Sequence, residues 1–229
     1  MKSREKIFLY EEVMLLSLKD EKGTMENGAF NQAAIGGAIL SELLLSGRIE
    51  IEQEKKKRFA RVANDRSLGD PLLDECLQRI RDAKKRQQLR TWVSRFANTK
   101  DLKNRVARQL CRKGVLREAE DKVLLIFKRR IFPEIDPQPE REIIARLKQA
   151  IFTTGPVDSR TVVLVAIAQS ANLLKNVFEK KKLKERKERI KIISSGDAAG
   201  NATREVIQAA QAAAAMTAIM AASVATSSS

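Results

Sequence analysis

The hydrophobic pattern changes period repeatedly along this chain, and each change marks an element. Ile7–Leu18 carries apolar residues at helical spacing and predicts a first helix. A polar loop with Gly23 and Gly28 follows. Residues 30–45 predict a second helix, with Ala33, Ala34, Gly36, Gly37 and Ala38 as small residues that admit another element at close range. Within Glu42–Glu52, ELLLSGRIEIE, the period switches. Leu43–Leu45 end the helix, and Gly47 fits a left-handed cap. Ile49 and Ile51 then alternate with Glu50 and Glu52, so Arg48–Glu52 predicts a strand. QEKKKR turns, and Phe59–Ala63 returns as the second strand of a hairpin.

Asp70-Pro71 opens another helix, with aspartate as N-cap and proline at the first helical position. Leu72, Leu73, Cys76, Leu77 and Ile80 form its apolar face. Trp92, Val93 and Phe96 continue a helical pattern, which makes Trp92 a core residue. The helix–glycine–hairpin unit then recurs. Lys103–Lys113 is a helix with Val106, Leu110 and Cys111 inward, Gly114 stops it, Val115 and Leu116 begin a strand, and Val123–Phe127 returns. Two widely spaced copies make a weak duplication, not a solenoid.

Pro133, Pro137 and Pro139 mark a rigid connection. Glu140–Phe152 is amphipathic through Ile143, Ile144, Leu147 and Ile151, and Gly155-Pro156 breaks it. Arg160–Phe178 predicts a further helix; Val162–Ala168 is apolar all round, so this helix is central and buried. Lys180–Lys191 holds eight basic and two acidic residues and predicts a solvated helix face. The expected fold class is mainly α, a single helical domain over residues 1–214 with small β-hairpin wings. Residues 215–229 form an Ala/Ser-rich tail. Val206–Ala225 is mostly alanine and carries Gln208 and Gln211, which suits a helix packed on the body better than a membrane span.

Composition narrows the chemistry. Aromatics make up only 4% of residues, so the core must be built from Leu, Ile, Val and Ala. The chain has no histidine, which removes His-based triads, His-ligated zinc and imidazole acid–base work. Cys76 and Cys111 lie far apart inside apolar helical patterns, without zinc spacing, and read as buried thiols of a reduced protein. The adjacent carboxylates Glu11/Glu12 and Asp74/Glu75 point in different directions and are expected to pair with Lys or Arg. No phosphate-loop pattern occurs. The reading is therefore non-enzymatic, without cofactor or metal. A net charge of +15 makes polyanions the expected partners.

Five stretches, in order, resemble one family: LYEEVMLLSLKDEKG (Leu9–Gly23), AILSELLLSGRIEIE (Ala38–Glu52), DPLLDECL (Asp70–Leu77), RKGVL (Arg112–Leu116) and VDSRTVVLVAIAQSANLLKNVF (Val157–Phe178). Together they are similar to the Golgi phosphoprotein 3-like family over nearly the whole chain. The resemblance implies a mostly helical domain that binds phosphatidylinositol 4-phosphate on membranes. It also implies, in eukaryotes, an adaptor on the cytosolic face of the Golgi that retains glycosyltransferases by their tails. Only Met1–Lys6 precedes the domain, so the coat-recruiting role of the family's arginine-rich tail is expected to be absent.

Residue by residue, the family's basic pair before the second glycine stop falls on Lys100 and Lys103, with Arg105 just beyond. Basic side chains a turn apart can clamp one phosphate, lysine as a point charge rather than a fork. The other headgroup positions depart: the tryptophan falls near Asn27 and the early arginine on Gly36. IFKRRIFPE (Ile126–Glu134) places Phe127, Ile131 and Phe132 around Lys128, Arg129 and Arg130. That mixture suits insertion at an anionic interface, and the family's region here is implicated in membrane insertion and oligomerisation; the pattern fits equally a hairpin in which Phe127 and Phe132 are core and the three basic residues are merely solvated. The expected partners are an anionic phospholipid membrane (a phosphoinositide), client protein tails and further copies of the chain. The alternative is a winged-helix-like nucleic-acid-binding protein. It lacks a helix with Arg, Asn and Gln grouped on one face, and aromatics for stacking are scarce.

Overall fold

The computed structural model describes residues 5–19, 24–25, 29–123 and 127–198. Ten helices and six short strands are assigned among these residues, so the protein is mainly α. Helix α1 (Leu9–Ser17) is buried along its whole length, including Glu11 and Glu12. It starts two residues later than its apolar pattern, because Phe8 is extended and its N–H donates to Glu11 Oε2 at 2.7 Å. Helix α2 (Ala29–Leu45) packs on α1 and on α4 (Leu89–Ala97). Gly36 is the reason α4 comes so close. A Cβ there would stand 2.7 Å from Val93 O and 2.8 Å from the Ala97 nitrogen.

Gly47 (φ 64°) ends α2 as its position predicts. Its N–H donates to Leu44 O, and the Arg48 N–H reaches back to Leu43 O at 2.9 Å, the two-bond pattern of a left-handed cap. The chain then enters the hairpin β3 (Ile49–Glu54) and β4 (Lys57–Val62), with Ile49 opposite Val62 and Ile51 opposite Ala60. Helix α3 (Pro71–Arg81) starts where proline requires. Asp70 caps it by accepting from the Leu72 and Leu73 N–H groups.

Gly114 (φ 73°) closes α5 (Leu102–Arg112) with the same two-bond motif. The second wing differs from the expected frame. Val115 and Leu116 do not open it: both drop into the core, 1% exposed, and the backbone there pairs with the segment around Glu134. The hairpin itself is β5 (Ala119–Val123) with β6 (Phe127–Ile131). A third pair, β1 (Leu18–Lys19) with β2 (Thr24–Met25), takes the last residue of the first predicted helix and part of the expected loop.

Helix α6 (Gln138–Phe152) leads to α7 (Ser159–Ser170), the central helix, buried from Thr161 to Ala168. The expected single helix to Phe178 is broken. Asn172 takes a left-handed conformation (φ 61°), caps α7, and the short α8 (Leu174–Val177) follows. The basic run is likewise two helices, α9 (Lys180–Glu185) and α10 (Lys187–Ser195), separated at Arg186. One apolar cluster joins α1 to α7, α8 and α10, and Trp92 sits in it at 1% exposure. The Ala/Ser-rich tail lies outside the described residues.

Candidate basic membrane interface

Lys100 is exposed in the turn between α4 and α5, and Lys103 lies in the first turn of α5. The two straddle Asp101, the N-cap, which is itself left-handed (φ 56°). They do not share one helix face as expected from sequence, but both stand at the N-terminal end of α5, where the helix dipole favours an anion. Arg105 is not part of this group. It lies two residues from Lys103, about 200° round the helix, and donates to Glu75 on α3 at 2.5 Å.

The fold adds two bases that sequence reading did not single out. Arg79 on α3 donates to Thr99 Oγ1 at 2.9 Å and to Arg95 O at 3.1 Å. It therefore ties the last turn of α4 to the turn that carries Lys100. Arg95 stacks over Trp92 at 5.0 Å and remains exposed. The α4–α5 turn is thus surrounded by Arg79, Arg95, Lys100 and Lys103. No local motif shows this, because Arg79 comes from a different helix some twenty residues back.

Gly36, where the resemblance puts an arginine, faces the end of α4 close to this turn. The space for any side chain is taken by Val93 O and Ala97. Asn27 lies outside the described residues.

The hairpin divides into two parts. At its root, Ile131 (9% exposed) and Phe132 (0%) belong to the core, so they are not membrane-contacting groups. They are drawn inward because the chain after β6 pairs with the buried Val115–Leu116 segment. Arg130 is exposed and lies 3.6 Å from Glu118. Phe127, Lys128 and Arg129 are in β6, opposite Val123, Lys122 and Asp121, but their side chains lie outside the described residues.

The acidic pairs are committed to structure. Glu11 meets Lys113 at 2.5 Å, and burial pushes its carboxyl pKa up despite the lysine. Glu12 accepts from Arg146 at 2.6 Å and Arg160 at 3.1 Å. Asp70 accepts from the Tyr10 hydroxyl and from Gln109, each at 2.6 Å. Asp74 accepts from Ser67 Oγ and from the Leu68 N–H, holding the loop before α3. Among the described residues no helix is long and apolar enough to cross a membrane.

The profile of the Golgi phosphoprotein 3 (GPP34) family matches residues 9–210. The chain belongs to this family. Vacuolar protein sorting-associated protein 74 of Schizosaccharomyces pombe is a relative, 24% identical over 209 residues that cover 76% of this chain and 61% of the relative. The GPP34 chain thus spans about three fifths of that curated relative's length. Membership carries Golgi and membrane-trafficking associations, and the five motifs read from the sequence all lie within the matched span.

Proposed function

We propose that this GPP34 chain is a non-enzymatic peripheral membrane protein that reads an anionic lipid headgroup, phosphatidylinositol 4-phosphate or another, and serves as a trafficking or retention adaptor for client protein tails. In a eukaryotic cell its place would be the cytosolic face of the Golgi. The observation that carries the reading is the basic group at the N-terminal end of α5: Lys100 and Lys103 with Arg79 and Arg95 brought in from α3 and α4. A phosphate there meets point charges and the positive end of the α5 dipole together. With Gly36 closed to side chains, the grip relies on charge more than on a fitted pocket.

The test is co-sedimentation with neutral vesicles, phosphatidylglycerol vesicles and charge-matched phosphatidylinositol 4-phosphate vesicles. Lys100→Glu/Lys103→Glu is run alongside, with a DNA duplex as competitor. Selective phosphoinositide binding, lost in the variant, is the expected result. Equal binding to both anionic sets reduces the function to charge-driven association. Binding to duplex and not to vesicles overturns the reading.

A further inference from the structure

The basic run Lys180–Lys191 is not a uniform solvated face. Arg189 turns inward and donates to Ala150 O and Gly155 O, pinning α10 to the end of α6. Lys182 pairs with Glu179 at 2.7 Å. Three others, Lys180, Lys184 and Lys187, face a recess of about 320 Å³ between the α7–α8 turn and α9–α10.

Lys175, Lys180, Lys184 and Lys187 stand around this recess, and all four are exposed. No ion pair joins any of them to a described carboxylate, and no carboxylate lines the recess. Its floor is apolar: Leu174 and Ile190 are buried core residues, and Leu183 packs against them. Gln169 and the left-handed Asn172 supply neutral hydrogen-bonding groups at one end.

Four like charges gathered round one recess, none of them in an ion pair with a described carboxylate, make it attractive to an anion. The arrangement therefore calls for an anionic occupant. The apolar floor adds that the occupant carries an apolar group long enough to reach below the lysines. A bilayer does not meet that second condition. Its surface cannot enter a recess, and among the described residues no exposed apolar side chain stands at the recess rim: Ile192, the exposed aliphatic on α10, lies two residues from Ile190 and so on the opposite side of the helix.

We propose that this recess docks an acidic peptide segment of a protein partner, with one apolar side chain seated on Leu174, Leu183 and Ile190 and flanking carboxylates paired with the four lysines. Lys180 and Lys184 are about one turn apart on α9, and Lys187 opens α10 just past the break at Arg186. They span roughly 10 Å at 1.5 Å per residue, a distance an extended peptide covers in about three residues. Two acidic clusters flanking one or two apolar residues match that length. The site stands apart from the α5 headgroup cluster and does not depend on the lipid reading.

The experiment uses the full chain and a fluorescein-labelled peptide, Asp-Glu-Asp-Phe-Leu-Glu-Asp-Glu, read by anisotropy. A control peptide carries Ser-Ser in place of Phe-Leu. Lys184→Glu/Lys187→Glu and, as a milder variant, Lys184→Gln/Lys187→Gln are compared with Lys100→Glu/Lys103→Glu. The expected result is saturable binding, weakened at least about tenfold by the recess variants and by Ser-Ser, and unchanged by the α5 variant. Equal affinity for both peptides, or equal losses from the recess and α5 variants, overturns the proposal in favour of unspecific charge. Phosphatidylserine vesicles that lose binding with the recess variants, while the peptide does not bind, overturn it in favour of a lipid surface.

Discussion

The guanidinium of Arg160 on α7 donates to the Glu42 carboxylate on α2 at 2.9 Å, and Glu42 is only 2% exposed. The same guanidinium reaches Glu12 at 3.1 Å and Ile7 O at 3.0 Å. Glu42 in turn accepts from the Leu9 N–H at 2.6 Å. One cation thus satisfies two buried carboxylates and joins α1, α2 and α7. Burial works against the charge of Arg160, and the Glu12 and Glu42 carboxylates outweigh it, so its pKa is raised. Replacing Arg160 by Ala leaves Glu42 buried with, among the described residues, only the exposed Lys6, 3.4 Å away, as counter-charge. The expected loss is about 3–5 kcal/mol of unfolding free energy in urea titration. Lys6→Ala, at a mostly exposed group, should cost less than about 1 kcal/mol. Similar losses for the two variants would refute the buried-network account.

Gly36→Ala sets two effects against each other. Alanine improves helix propensity by about 1 kcal/mol, but its Cβ would press on Val93 O at 2.7 Å. Backbone cannot move aside as a flexible side chain can, so overpacking should win, with a net loss of about 1–3 kcal/mol. Thermal unfolding decides the sign. Gly36→Arg, which would restore the family's arginine, should lower the melting temperature further and should not improve phosphoinositide binding. A gain in binding at unchanged stability would show that α2 and α4 can separate here.

Burial pushes the Glu134 carboxyl up to about 7, with Glu140 and Asp136 adding to the rise and Arg141 opposing it. Burial raises Glu140 as well. Each group holds its proton more tightly folded than unfolded, so the folded state binds more protons between the unfolded value of 4.5 and about 7. Stability from this source is full below 4.5 and is lost as pH rises through about 7. Glu134→Gln should flatten that part of the pH–stability curve. An unchanged slope between pH 5 and 7, roughly the window in question, would count against it.

The two thiols should differ in reactivity. Burial pushes Cys76 up to about 12, and it is fully covered by core side chains. Cys111 is raised less far and is partly exposed at the end of α5. An aromatic disulfide reagent at neutral pH should label Cys111 first, and Cys76 only on unfolding. Simultaneous labelling of the native chain would place Cys76 outside the core.

Local signals carried much of the architecture. Asp70-Pro71 marked the start of α3, and Gly47 and Gly114 marked the ends of α2 and α5, because these residues act through their own backbone geometry. Trp92 was legible as core from its helical spacing. The break at Asn172 was not, because a capping asparagine looks like any polar residue inside an apolar run. Val115 and Leu116 read as strand because two adjacent apolar residues after a glycine fit either fate, and only the distant Glu134 segment decides. At the basic interface Lys100 and Lys103 were visible as neighbours in sequence. Arg105 was misleading because Glu75, which holds it, is on another helix. Arg79 was invisible for the same reason.

Arg79 gives the sharpest test of the interface. Its guanidinium contributes charge near Lys100, and its bonds to Thr99 Oγ1 and Arg95 O hold the turn in place. Arg95 contributes charge alone, since it is exposed and rests on Trp92. Arg79→Gln should therefore weaken phosphatidylinositol 4-phosphate vesicle binding more than Arg95→Gln does, although each removes one positive charge. Two lost hydrogen bonds also predict a stability loss of about 1–3 kcal/mol for Arg79→Gln, small enough that the protein stays folded at room temperature. Arg79→Lys separates the two contributions, since it keeps the charge but cannot span both acceptors with a fork. Binding by Arg79→Lys midway between wild type and Arg79→Gln would show that positioning and charge both count. Equal effects of Arg79→Gln and Arg95→Gln would mean that charge alone governs the interface.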